Sequence, residues 1–415
     1  MTSVLPALRR TLELLPSPLP DRPGLLVRDP FRYSESIIIV PPALVPALLC
    51  FDGTRTEIEL HARLVELTGE LEVTSLAEHL LRTLSGGGFL EDEAFASRRR
   101  GVEGAFARAD TRAPVHAGTA YPAQESELRL ALTRYATEGA DTPAAAALPS
   151  ATAIAAPHVS PEGGWRCYAD AYRALDGAPD ATYVILGTSH YGVPERFGLT
   201  RKPFVTPYGE STIDVDAVDR LAQAAPESAV MEDYCHAVEH SIELQVVYLQ
   251  HRFGPGVRIV PVLCGPFARS LYEGGRPEDD PGVARFIDAL GDLAVRRGRG
   301  LRFVLGVDMA HVGRRYGDRL VARVGEEPLV QVAARDRERL DRVAEGDAAG
   351  FWDLVVPEAD RELKWCGSSP LYTFLRAVPG VRGSVLRYEQ WNIDAQSVVS
   401  FAALAFDKAH DGSPK

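Results

Sequence analysis

The sequence predicts an α/β protein in which helices flank a sheet in three layers, preceded by a small α+β unit. From His116 onward, short β-prone apolar runs alternate with stretches that repeat apolar residues at helical spacing. The chain of 415 residues exceeds one ordinary core, which favours two or three domains. Its hydrophobic fraction of 46% and its charged fraction of 25% are typical of folded proteins.

The elements of the larger unit follow from these two periodicities. Apolar runs bounded by turn residues predict strands, and longer amphipathic stretches predict helices. The predicted strands span 152–155, 182–186, 258–263, 303–306, 383–388 and 397–406, and the predicted helices span 125–135, 165–175, 215–224, 241–252, 330–344 and 370–377.

Residues 1–93 predict a separate unit, in which a strand pair precedes three helices. This unit contains no cluster of catalytic residue types. The segment 94–114 is charged and lacks apolar periodicity, so we predict a linker there and a larger domain over 115–408. In the first unit the predicted strands span 24–28 and 36–40, and the predicted helices span 43–50, 57–68 and 75–84.

Charge and apolar length argue against two classes of partner. Acidic residues outnumber basic ones 57 to 45, and the net charge of -12 is the wrong sign for a nucleic-acid footprint. No apolar stretch approaches the 18 or so residues of a membrane helix, and no signal-type segment opens the chain. We therefore expect a cytoplasmic protein without nucleic-acid or membrane partners.

The five cysteines show neither CxxC spacing nor an even count, so they predict no disulfide framework and no structural zinc motif. Cys366 differs from the rest because a turn and helix start follow it, which suits a position at the rim of a sheet. The cysteines are Cys50, Cys167, Cys235, Cys264 and Cys366.

Four short segments follow or adjoin β-prone runs and end in or next to a metal-competent side chain. Residues beyond the carboxyl ends of strands gather at one rim of an α/β sheet, where ligands bind. The repetition therefore predicts one site built from several strand ends. The segments are Ala156–His158, Gly187–His190, Asp308–His311 and Trp365–Gly367.

His158, His190 and Cys366 form a candidate ligand set for a metal ion. Imidazole and thiolate ligands suit zinc, iron or copper, and three protein ligands leave coordination positions open. Open positions indicate catalysis more than structural support.

Asp308 and His311 lie three residues apart after a predicted strand. If a helical turn begins there, both side chains share one face, and the aspartate could orient the imidazole as a general acid/base. The alternative is that Asp308 only caps a helix.

Glu239, His240 and Glu243 open a predicted amphipathic helix. The two glutamates either cap that helix or form a second shell that hydrogen-bonds the ligand histidines. His240 is either a ligand at the rim or a satisfied polar core residue.

Taken together, motifs in one order between His116 and Phe406 resemble the Memo family, whose bacterial members are often labelled AmmeMemoRadiSam system protein B. Several separate motifs in one order are more specific than any one of them. The motifs are His116-Ala-Gly-Thr-Ala-Tyr-Pro, Ala156-Pro-His158, Leu186-Gly-Thr-Ser-His190, Glu239-His-Ser-Ile-Glu243, Pro261-Val-Leu263, Asp308-Met-Ala-His311 and Cys366-Gly367.

The resemblance implies a fold like that of the class III extradiol (LigB-type) dioxygenases, whose nonheme iron is held by two histidines and a carboxylate. The corresponding Memo pocket has two histidines and a cysteine, which carry over to His158, His190 and Cys366, with iron (Fe2+) as the implied metal and copper as the alternative. The chain departs from the family pattern at 159–161 and at Tyr191, which concerns the substrate side of the pocket.

The family label also implies AMME-type and radical SAM partner proteins. The chain has no CxxxCxxC cluster motif, so it is not itself the radical SAM partner. Residues 1–93 are similar to PqqD-like winged-helix modules, which implies a winged-helix-like α+β domain that docks a peptide by an added strand, or else a plain accessory domain.

Our leading hypothesis is a metal-dependent redox enzyme of the oxygenase type that acts on a small molecule or a peptide, with His311 as acid/base beside Asp308. A second hypothesis is a non-catalytic scaffold that binds a peptide or sequesters metal. Metal-assisted hydrolysis is a weaker third, since catalytic zinc sites use thiolate less often.

Overall fold

The structure is a computed structural model that describes residues 3–138, 151–177, 180–356 and 364–408. The chain divides into two compact units, Met1–Ala109 and Asp110–Lys415. Among the described residues, no helix has the length and apolar character needed to cross a membrane.

The first unit pairs three short antiparallel strands in the order β1-β2-β3 and adds helical segments. Thr56 and Glu59 form a reciprocal capping box at the start of the first α-helix. The elements are β1 (Glu13–Pro16), β2 (Leu25–Arg28), β3 (Ile37–Val40), a 3-10 helix (Pro42–Cys50), α1 (Glu57–Thr68), α2 (Thr74–Gly86) and α3 (Glu93–Arg108).

Helix α3 occupies most of the segment that we predicted as a linker. Periodicity did not predict this helix because its sequence is charged and only Phe95 is buried, so the helix has no apolar stripe. Asp92 caps the helix by accepting from the Phe95 N–H at 2.8 Å. An ion pair one turn apart, Arg99 with Glu103, supports the exposed face.

The second unit contains the larger sheet. Its strands are β4 (Ala153–Ala156), β5 (Thr182–Thr188), β6 (Phe197–Leu199), β7 (Val205–Thr206), β8 (Gly209–Glu210), β9 (Thr212–Ile213), β10 (Ala229–Met231), β11 (Arg258–Cys264), β12 (Leu301–Gly306), β13 (His311–Gly313), β14 (Val381–Asp394) and β15 (Ser397–Lys408). Its helices are α4 (Glu125–Glu138), α5 (Pro161–Ala174), α6 (Val215–Ala224), α7 (Cys235–Val238), α8 (Glu243–Phe253), α9 (Ala268–Tyr272), α10 (Pro281–Arg297), α11 (Glu327–Ala344), α12 (Ala348–Val355) and α13 (Ser368–Ala377).

The main sheet runs β10-β6-β11-β5-β12-β4-β15-β13, with β14 beside β15 and β9 beside β11. Its four central strands, β11, β5, β12 and β4, are parallel. Gly306 at the end of β12 pairs with Gly187 of β5 and with Ala156 of β4. The chain segments that leave these three strands therefore start from one row at one edge of the sheet.

Helices cover both faces of this sheet. Alternate residues of a strand point to opposite faces. On β12, the Phe303 ring lies 5.3 Å from that of Phe374 on α13, whereas a Cβ on Gly306 would meet Ser241 and Gln245 at the start of α8. The predicted α/β architecture, with helices flanking a central sheet, is confirmed.

Candidate metal centre

Three imidazoles meet at the carboxyl edge of the central strands. His158 follows β4, His190 follows β5, and His240 lies between α7 and α8. One ring nitrogen from each lies within 4.8 Å of the other two, as metal ligands do. The rings of His190 and His240 stack with centroids 5.0 Å apart, and the His158 ring is edge-on to both. We call these three residues the histidine cluster.

His158 is held ready as a ligand by its backbone surroundings. Its Nδ1 lies 2.9 Å from the Gly306 carbonyl oxygen, so Nδ1–H donates there and Nε2 keeps its lone pair. Burial, followed by the neighbouring imidazoles, holds the pKa of His158 well below its usual value. The ring is therefore neutral, the form that binds metals.

Glu239 orients the other two rings. Its Oε1 lies 3.0 Å from His190 Nδ1 and 3.1 Å from His240 Nδ1. The carboxylate also accepts from the backbone N–H groups of both histidines, at 2.8 and 2.9 Å. Bonds at Nδ1 leave the Nε2 atoms of both rings as the nitrogens that a metal could take.

Glu239 and His190 stabilise each other's charged forms. Burial alone would raise the pKa of Glu239, but His190 and His240 hold it well below its usual value. Burial would lower the pKa of His190, but Glu239 and Cys366 raise it well above its usual value. A metal that takes His190 Nε2 must therefore displace a proton.

Cys366 lies beside the histidine cluster, just before α13. Its Sγ is 3.3 Å from His158 Nε2 and 3.6 Å from the Asp308 carbonyl oxygen. Burial raises the pKa of the thiol, and His190 opposes that effect. The structure thus brings together His158, His190 and Cys366, and it adds the ring of His240, for which we had considered a role as a rim ligand and a role as a polar core residue.

Asp308 contacts His158. Its Oδ1 accepts from the His158 N–H at 2.9 Å, and its Oδ2 lies 3.5 Å from His158 Nε2. Burial raises the pKa of Asp308 to about 6, although the His158 N–H partly opposes this. A carboxyl group with this pKa can hold or release a proton near neutral pH.

The helical turn that would place Asp308 and His311 on one face does not form. The chain is extended there, because Met309 and Ala310 bond to Ser400 of β15, and His311 begins β13. His311 Nδ1 lies 2.9 Å from the Met309 oxygen. Burial lowers the pKa of His311 to about 4, so its ring is neutral and is oriented by backbone, not by the Asp308 carboxylate.

Among the described hydrogen bonds, those of Glu243 go to residues other than the three cluster histidines. Glu243 is buried, forms an ion pair with Arg112 and accepts from Tyr121 Oη and from the His116 N–H. Arg112 also donates to the backbone carbonyl oxygen of Glu239 at 2.9 Å. The Arg112–Glu243 ion pair therefore supports the backbone of Glu239. Arg112 lies in the predicted linker, where nothing in the charged sequence marked it.

Two glycines let the His240 segment approach the strand ends. A Cβ on Gly187 would lie 2.5 Å from Ser241 Oγ, and one on Gly306 would lie 2.2 Å from the Ser241 oxygen. Ser241 Oγ in turn donates to the Thr188 oxygen at 2.7 Å. The absence of side chains at these two positions brings the third imidazole to the edge of the sheet.

A family model described as Memo-like protein matches residues 112–405. The chain belongs to the Memo family. A MEMO1 family protein of Aquifex aeolicus is 25% identical over 386 residues, which is 92% of this Memo chain and 95% of the relative. A MEMO1 family protein of Thermus thermophilus is 29% identical over 301 residues, covering 71% of this chain and 82% of the relative.

Among solved structures, an uncharacterised protein of Escherichia coli K12 covers 61% of the Memo chain and 98% of its own length. The TM-score is 0.37 and the identity is 13%, and so weak a likeness supports no inference about the site.

Proposed function

We propose that this Memo chain is a metal-dependent redox enzyme of the oxygenase type, with iron as its metal and copper as the alternative. The observation that carries the proposal is the histidine cluster, in which Glu239 and the Gly306 carbonyl bind the Nδ1 atoms and leave three Nε2 atoms for one ion. Cys366 Sγ, 3.3 Å from His158 Nε2, adds a thiol at the same place.

The donor set fits these metals. Imidazole binds iron, copper and zinc, and a thiolate favours the softer ions, Cu(I) among them. We assign His158, His190 and Cys366 as ligands, with His240 as a further imidazole within reach. A bound iron or copper ion would supply one-electron chemistry and a position for dioxygen.

The protein's own residues have separate tasks in this proposal. Glu239 fixes the orientation of His190 and His240 and keeps both Nε2 atoms turned to the ion. Asp308, with a pKa of about 6, holds a proton at Oδ2 beside His158 and can exchange it with substrate. His311 remains a proposed proton carrier at the rim, acting without Asp308.

The broader expectations from the resemblance stay proposals. They are a fold like that of the class III extradiol dioxygenases and AMME-type and radical SAM partner proteins. Cytoplasmic location, which we expected from the composition of the chain, is also a proposal. The division into domains at 1–93, 94–114 and 115–408 belongs with them. For the first domain we propose peptide docking, because β3 lies at an edge of its small sheet and can accept an added strand.

The test is metal analysis of full-length protein purified without added metal, for the wild type, Cys366→Ser and a control, Cys264→Ser. Cys264 is a buried cysteine at the end of β11, outside the cluster. We expect one iron or copper per chain in the wild type and the control, and less in Cys366→Ser. Unchanged stoichiometry in Cys366→Ser would remove Cys366 from the ligand set.

One observation favours a second candidate, a metal-sequestering scaffold. If His158, His190, His240 and Cys366 all bind one ion, the site has four protein ligands and is closed, as structural sites are. Dioxygen consumption by metal-loaded protein with candidate substrates separates the two. Turnover supports the enzyme, and full metal loading without dioxygen uptake supports the scaffold.

A further inference from the structure

We propose that Asp336, a buried carboxylate on α11, is the positioning residue for Cys366 and for the Asp308–Ala310 segment. The inference rests on the proposed function in one respect: the position of the Cys366 thiol matters because the thiol is a proposed metal ligand. Asp336 is fully buried and accepts hydrogen bonds from three side chains on other parts of the fold. The donors are Trp365 Nε1 at 2.6 Å, Tyr388 Oη at 2.7 Å and Ser400 Oγ at 2.6 Å.

Two of these donors lead directly to the site. Trp365 precedes Cys366 in the chain. Ser400 donates its hydroxyl hydrogen to Asp336, so its oxygen is left to accept from the Ala310 N–H at 2.9 Å. The Trp365 indole N–H and the Ala310 backbone N–H can only donate, which fixes the direction of the bonds at both ends of this connection.

The segment Asp308–Ala310 lies between two backbone segments, one containing Ser400 and the other Trp365, whose side chains donate to Asp336. On one side, the Met309 N–H donates to the backbone carbonyl oxygen of Ser400 at 2.8 Å, and the Ser400 N–H donates to the carbonyl oxygen of Ala310 at 2.9 Å. On the other side, Ala310 forms a β-bridge with Trp365, and the Gly367 N–H donates to the backbone carbonyl oxygen of Asp308 at 3.0 Å. Asp336 thus ties both neighbours of this segment to one helix.

The third donor provides an internal control. Tyr388 lies on β14, which carries no residue of the histidine cluster, yet its hydroxyl bonds to the same carboxylate. Trp365→Phe and Tyr388→Phe therefore each remove one hydrogen bond from Asp336. Only Trp365→Phe removes a bond made by the residue that precedes Cys366.

The readout is the rate at which iodoacetamide alkylates Cys366 in the metal-free, full-length protein, measured by peptide mass spectrometry. Loss of a buried hydrogen bond to a carboxylate should increase opening of the loop, and hence the rate, by about tenfold in Trp365→Phe and Asp336→Asn. In Tyr388→Phe the rate should stay within about twofold of the wild type, because the bonds to Trp365 and Ser400 remain.

Equal rates in Trp365→Phe and Tyr388→Phe would overturn the proposal, as would an unchanged rate in Asp336→Asn. Melting temperatures of all three variants show whether a rate change follows global stability. A separate titration with Co2+ keeps the two proposals apart. If the wild type binds no Co2+ while the alkylation rates differ as expected, the metal proposal fails and the positioning role stands.

Discussion

The two buried carboxylates of the site, Glu239 and Asp308, differ in their partners and in their charge. Both are almost fully inaccessible to solvent. Glu239 bonds to two imidazoles and to the backbone N–H groups of His190, His240 and Ser241, and its pKa lies well below the usual value in spite of burial. Asp308 bonds to the His158 N–H, and burial raises its pKa to about 6.

The difference shows that burial alone does not decide the charge of a carboxyl group. Attraction and hydrogen bonds from His190 and His240 outweigh desolvation for Glu239, whereas for Asp308 the His158 N–H and the electrostatic effects of His240 and His190 only reduce it. Two carboxyl groups whose pKa values are pushed apart in one site are suited to different tasks. Glu239 is suited to permanent orientation of ligands, and Asp308 to the exchange of a proton.

Glu239→Gln should have the largest effect. The amide keeps the size of the side chain but loses its charge. If its oxygen takes the place of Oε1 beside both Nδ1 atoms, its NH2 group faces the His190 backbone N–H, which then loses its acceptor Oε2. We expect metal affinity to fall by about 10–100-fold, the usual cost of losing an outer partner of ligand histidines. Co2+ titration followed by calorimetry measures it. An equal loss in Asp308→Asn would contradict the contrast between the two carboxylates.

Asp308→Asn should change the pH dependence of stability in the metal-free protein. The pKa of Asp308 is raised in the folded state to about 6, so its ionisation opposes folding. The wild type should lose stability from this group as pH rises through about 6, and the variant should not. The variant should therefore gain about 1–2 kcal/mol over the wild type between about pH 4.5 and pH 8.

Urea denaturation at the two pH values measures this gain, and Glu239→Gln is the comparison. The pKa of Glu239 is lowered in the folded state, so its ionisation supports folding above the pKa of the unfolded chain. The deficit of Glu239→Gln relative to the wild type should be largest at pH 8 and should shrink only as pH falls towards the folded pKa. A loss of stability in Asp308→Asn at pH 8 would show that its raised pKa is not what distinguishes it.

Sequence alone predicted the half of the site that strand ends determine. Apolar runs located β4, β5 and β12, and the rule that ligands bind beyond the carboxyl ends of strands placed His158, His190 and Asp308 together. The flanking helices were also predictable from their periodicity. The sheet register, which brings Ala156, Gly187 and Gly306 into one row, supplied the geometry.

The rest depended on contacts between distant parts of the chain. The spacing of Asp308 and His311 suits a helical turn, but pairing with Ser400 and with Trp365 makes the segment extended. Arg112 carries no local signal of burial, because its partners, Glu239 and Glu243, lie far along the chain. Local periodicity cannot show such partners, which is why the sequence left two roles open for Glu243 and for His240.

His311→Gln should have the smallest effect, and it tests whether the site ends where the histidine cluster ends. His311 Nδ1 is engaged by the Met309 oxygen and its ring packs edge-on to Tyr316. With a pKa lowered to about 4, the ring is already neutral at pH 7.5, so its loss removes no charge there. We expect Co2+ affinity at pH 7.5 to stay within about twofold of the wild type, far from the loss expected for an outer partner.

The same variant should differ from the wild type only in acid. Because the folded state lowers the pKa of His311, the unfolded chain binds a proton more readily, and the wild type loses stability as pH falls from about 6.5 towards about 4. The introduced glutamine cannot titrate, so the variant should lose less over that range. A tenfold loss of Co2+ affinity at pH 7.5 would instead indicate that His311 is a ligand. The metal site would then extend beyond the histidine cluster to His311.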